Sequence, residues 1–114
     1  MTRGADYEFE ALLSLDGQEF RFTKGYTMKF EVRQVKPSQG RPHGVKYSLT
    51  LHDPEGHRIY GIDNAHRTGP RREFDHRHPH GARKVVRYAY RGPVVLLDDF
   101  FREVERILNE RGVS

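Results

Sequence analysis

Four of the seven histidines in this 114-residue chain fall in one stretch: His66, then His76, His78 and His80 at alternating positions. Asp63 and Asp75 flank them, and Arg67, Arg71, Arg72 and Arg77 are interspersed. Imidazole gains and loses protons near neutral pH. A carboxylate orients an imidazole, and a guanidinium steadies the charge that builds on a reacting phosphate. These are the parts of a metal-independent ribonuclease: a base for the 2′-hydroxyl, an acid for the leaving 5′-oxygen and a cation for the phosphorane. In that assignment His76 and His78 are acid and base, and Asp63 or Asp75 orients one of them. His66 is a further candidate, and Arg67 and Arg77 hold the phosphate.

Two other uses fit the same residues. In an extended stretch His76, His78 and His80 point to one side, and with Asp63 they form a nitrogen and oxygen donor set suited to zinc, manganese or iron. No helical His-Glu-x-x-His motif strengthens that reading, and the chain has no cysteine, so the expectation is a site without metal or other cofactor. The plainer use is a polar surface loop, with Asp63-Asn64 ending a strand by an Asx turn. His43 is a weaker site candidate. Tyr47 and Tyr60 stand at strand positions where aromatics usually pack.

Charge points the same way as the histidines. Net charge is +4. From His66 to Arg91 there are eight Arg and Lys against Glu73 and Asp75, so that stretch carries +6 and the remainder −2. Such a field attracts polyanions. Arg67, Arg71, Arg72, Arg77, Arg83 and Lys84 are therefore the expected nucleic-acid contacts, with RNA the expected partner. A basic, non-catalytic binding module for nucleic acid or protein is the alternative, and a metal-dependent hydrolase is another.

Elements must hold this cluster in place. The chain length fits one domain, 1–114. Tyr7, Phe9, Ala11, Leu13 and Leu15 alternate with mostly polar neighbours and predict a strand, with Asp16-Gly17 as a hairpin turn. Glu19–Val35 predicts one long bent strand or two short ones, broken near Gly25. Val45–Leu51, Arg58–Ile62 and Lys84–Tyr90 predict three more. Asp63–Gly81 has no apolar period and predicts a long loop. Leu96, Leu97, Phe100, Phe101, Val104, Ile107 and Leu108 lie at helical spacing and predict a helix over Val94–Arg111, capped by Gly112. Strands first and helix last predict an α+β fold: a curved antiparallel sheet of about five strands covered by one C-terminal helix.

No apolar run approaches the roughly 20 residues that span a bilayer, and the N-terminus lacks a signal-peptide core. The expected location is cytoplasmic, with no membrane partner.

Several segments carry a family resemblance. His43-Gly44-Val45-Lys46-Tyr47-Ser48-Leu49 is similar to the His-Gly-Tyr-Lys-Tyr-x-Leu strand of TumE-like toxins. Ile62-Asp63-Asn64-Ala65-His66 resembles their Tyr-Asp-Asn segment, and Phe74-Asp75-His76-Arg77-His78 their Asp-His-Arg-His segment. Leu96-Leu97-Asp98-Asp99-Phe100-Phe101 resembles the start of their last helix. The resemblance runs from about Gly40 to Gly112. It implies the growth-inhibiting toxin of a toxin–antitoxin pair, encoded beside a helix-turn-helix antitoxin.

Overall fold

The structure is a computed structural model that describes residues 4–38, 43–64, 75–79 and 86–113. Its order is helix α1 (Gly4–Leu13), strand β1 (Glu19–Arg21), a 3-10 turn (Thr23–Gly25), β2 (Thr27–Gln34), β3 (Val45–His52), β4 (Arg58–Asp63), β5 (Asp75–His78), β6 (Val86–Tyr88) and helix α2 (Pro93–Glu110). The strands form one sheet in chain order, β1-β2-β3-β4-β5-β6, and every neighbouring pair is antiparallel. The fold is therefore the expected α+β sheet with a C-terminal helix, with six strands rather than about five.

The sheet has two unlike faces because side chains alternate along each strand. One face carries Met28, Phe30, Val32, Val45, Tyr47, Leu49, Leu51, Tyr60 and Ile62, all in the core. Helix α2 covers it through Leu96, Phe100, Val104, Ile107 and Leu108. Phe100 sits at the centre, edge-on to Phe30 at 5.7 Å between ring centroids and stacked on Tyr60 at 5.9 Å. Pro93 opens the helix at a position where its missing N–H is harmless. Gly112 closes it at φ +70, where a side chain would be strained, and Val113 N–H bonds back to Leu108 O at 2.8 Å. Lys24 in the 3-10 turn donates to Gly112 O at 2.8 Å, which ties this end of the helix to the β1–β2 connection.

Three elements differ from the sequence reading. Residues 7–13 are helical, not a strand. Phe9, Leu12 and Leu13 turn toward the core while Tyr7 and Ala11 stay exposed, which is helical spacing. The apparent alternation shares Phe9 and Leu13 with that stripe, and the intervening Glu and Leu residues are good helix formers. Asp16-Gly17 accordingly turns from helix to strand, and Asp16 Oδ1 accepts the Val32 N–H at 2.9 Å. Glu19–Val35 resolves into two strands, separated by the 3-10 turn where Lys24 and Gly25 both have positive φ. Finally, Asp75–His78, placed within a loop by sequence, is a strand between β4 and β6.

Candidate functional site

The site is built on the face of the sheet that α2 does not cover. Register aligns Glu31, Ser48, Asp63, His76 and Arg87 in one row across β2 to β6. The adjacent row is Lys29, Thr50, Gly61 and His78. Asp63 thus stands directly across from His76, and His78 is two residues along β5 on the same face.

The Asp63 carboxylate joins the two rings. His78 Nε2 lies 2.9 Å from Oδ2, and His76 Nδ1 lies 3.7 Å from Oδ1. The imidazoles are 6.3 Å apart between centroids and inclined by 47°. Asp63 and His76 are buried, at 7% and 3% exposure, and His78 is more accessible. Gly61 matters for its lack of a side chain: a Cβ there would come within 3.2 Å of both Leu49 O and the Thr50 methyl. A side chain at that position would also stand in the row between Thr50 and His78.

Asp75 and Arg77 alternate with the histidines and so face α2. The Tyr47 hydroxyl donates a hydrogen bond to Asp75 Oδ2. Burial, reinforced by the Asp75 charge, pushes the Tyr47 phenol far above its ordinary range, so it remains a donor. Arg77 meets the Tyr60 hydroxyl and faces Glu103, beside a cavity of about 390 Å3 also lined by Tyr88, Asp99 and Arg102. Asn64 fastens the end of β4. Its amide donates to Val45 O at 2.6 Å, its carbonyl accepts Tyr47 N–H at 2.9 Å, and its own N–H donates to Tyr47 O at 3.2 Å. In this way β4 and β5 are anchored from the helix-covered face, and the Asp63–His76–His78 group is presented on the other.

A family model described as Toxin TumE matches residues 7–108. The chain belongs to the TumE toxin family. It is the toxin component of a toxin–antitoxin system, and an antitoxin is its partner. Neither the curated proteins nor the solved structures give a match to it. Among the described residues of the toxin, no helix is long and apolar enough to cross a membrane.

Of the residues singled out by sequence, the toxin brings Asp63, His76 and His78 together. Asp75 and Arg77 lie on the opposite face of the sheet. His66, Arg67, Arg71, Arg72, His80, Arg83 and Lys84 lie outside the described residues. His43 lies against Tyr90 at 4.3 Å between centroids, the rings tilted by 42°, on the side of the helices. Sequence reasoning did not select Arg87, the exposed cation in register with His76. Its signal was its place in the last strand, one strand over from the histidines. Among the described residues, possible metal ligands within 4.8 Å of one another lie elsewhere, at Asp53, Glu55 and His57. That cluster is an exposed turn, organised by Asp53 Oδ1 accepting the N–H groups of Glu55 and His57 at 3.0 and 2.9 Å.

Proposed function

We propose that this toxin arrests growth by cleaving RNA, with His76 and His78 as the acid–base pair and Asp63 as the group that orients both. The observation that carries this reading is the carboxylate lying against two imidazoles on the face of the sheet that α2 does not cover. Asp63 engages one nitrogen of each ring, which turns Nε2 of His76 and Nδ1 of His78 away from the carboxylate. In the reaction the neutral imidazole takes the 2′-hydroxyl proton as the 2′-oxygen bonds to phosphorus. The protonated one delivers its proton to the 5′-oxygen as the P–O5′ bond breaks. The products are a 2′,3′-cyclic phosphate and a free 5′-hydroxyl, so no water is consumed. Arg87, beside His76 on the same face, supplies positive charge to the phosphorane. A small helix-turn-helix protein encoded alongside is the antitoxin this reading expects, and the cytoplasm is where toxin, antitoxin and RNA would meet.

The test is a fluorescent RNA incubated with the intact toxin and with His76→Ala, His78→Ala and Asp63→Ala, each shown to be folded by circular dichroism. Loss of an acid or base lowers the rate on the order of 10²–10⁴-fold, and growth arrest should fall in parallel. The intact toxin should have a bell-shaped pH–rate profile, because one ring must be neutral while the other is charged. Cleavage abolished by a chelator and restored by a divalent cation would move the same three side chains to the role of metal ligands. Full cleavage and full toxicity in all three folded variants would end the active-site reading.

A further inference from the structure

The two helices are acidic. Across α1 and α2, eight Asp and Glu stand against Arg102 and Arg106, a net −6, so the remaining residues of this +4 chain carry +10. A polyanion is therefore repelled from the helical layer, and the other face of the sheet carries the exposed cations Lys29, Arg33, Lys46 and Arg87. On that side one arrangement runs against the stability of the fold. Arg33 of β2 and Lys46 of β3 are direct cross-strand partners. Both are exposed, and their Cβ atoms are held roughly 5 Å apart by the ladder. Like charges placed directly opposite each other destabilise a sheet. Glu31, two residues from Arg33 on the same face, is the nearest acid on β2, yet among the described residues neither cation is paired in a salt bridge. An anion seated between the two would remove the repulsion.

We propose that Arg33 and Lys46 form a phosphate-binding station for single-stranded RNA on the face that carries Asp63, His76 and His78. The proposal rests on the RNA reading of that face. Lys46 is two residues from Ser48, which lies in the Asp63–His76 row. Two residues along a strand and two strands across place the station about 12 Å from His76, within a few nucleotides of a scissile bond held there. The histidines and Asp63 are sunk between exposed cations, Lys29, Arg33 and Lys46 on one side and Arg87 on the other. A flexible single strand can dip into such a centre while its flanking phosphates rest on the rims. A duplex holds its backbone too rigidly to do so, and single strands are where RNA is usually read. Attack by the 2′-oxygen also needs alignment with the leaving oxygen, which a free strand can adopt.

The experiment measures fluorescence anisotropy of a labelled, 2′-O-methylated single-stranded RNA, which binds but cannot be cut. The intact toxin is compared with Arg33→Gln, Lys46→Gln and the double variant over a range of salt. Each substitution should weaken binding roughly tenfold, as loss of one charged hydrogen bond does. Each should also lower the slope of log K against log salt by about 0.7. Thermal melting should stay level or rise, because the like-charge pair is gone. Weaker RNA binding together with unchanged or higher melting temperature is the signature of a station, since a structural pair would move both downward. If the intact toxin binds RNA and the double variant binds it equally with the same salt slope, the station is wrong and the RNA reading survives. If the intact toxin does not bind the RNA at all, the RNA reading fails and the station fails with it.

Discussion

Raising the pH should unfold this protein, and the buried phenols determine where. Tyr47 and Tyr60 are each 1% exposed. Burial lifts both phenols, Tyr47 far above its ordinary range with the help of Asp75, and Tyr60 up to about 12 despite the opposing charge of Arg77. In the unfolded chain both ionise near pH 10. Between that pH and the higher folded values, the native state holds protons that the unfolded state has released, so stability falls as pH rises. The contribution is complete below about pH 10 and is lost above it. Each buried phenol contributes a slope of about 1.4 kcal/mol per pH unit, and the two together about 3 kcal/mol per unit. Tyr88 and Tyr90 are also raised by burial, but they are more accessible and solvent screening reduces their share. A domain near the low end of the usual range of roughly 5–15 kcal/mol of stability should then lose its fold cooperatively about two pH units above 10. The assay is urea denaturation followed by circular dichroism at stepped pH, alongside the ultraviolet absorbance of phenolate. Phenolate should appear together with unfolding. All six tyrosines titrating smoothly near pH 10 in a chain that stays folded would refute the burial argument.

Two further outcomes concern the frame of the site. Phe100→Ala removes a fully buried ring that contacts Phe30 and Tyr60; it should cost about 3–5 kcal/mol, read as a fall in the urea midpoint or outright loss of folding. Asn64→Ala leaves Val45 O and Tyr47 N–H without their side-chain partner; it should cost about 1–3 kcal/mol and speed hydrogen exchange at the Tyr47 amide.

How much of this was legible in the sequence depended on whether a segment's residues shared one environment. The apolar stripe from Leu96 to Leu108 and the alternation from Val45 to Leu51 each face one core, so their periods could be read directly. The 7–15 stretch misled because Phe9 and Leu13 satisfy both periods, and only Leu12 separates them. Strand β5 was invisible because all four of its residues are polar. It needs no apolar side chain, since Tyr47 receives Asp75 and Tyr60 and Glu103 receive Arg77. The alternation of His76 and His78 was legible, and so was Asp63 as a carboxylate within their reach. The opposite facing of Asp75 followed from the same alternation. It was obscured by adjacency in sequence, which in a strand means opposite sides.

That opposition bears on how such a protein can change over generations. The two strands that hold Asp63, His76 and His78 are fastened to β3 from the far side of the sheet, by Tyr47, Asn64 and Asp75. The register that sets Asp63 against His76 is carried by the pairing of β4 with β5. Changes of charge at exposed positions of the sheet, such as Lys29, leave that pairing in place. A slip of β5 by a single position is different in kind: it would carry both histidines to the helix side and turn Asp75 and Arg77 away from Tyr47 and Tyr60. Selection can thus recharge the surroundings of the centre while the arrangement of Asp63, His76 and His78 is inherited intact.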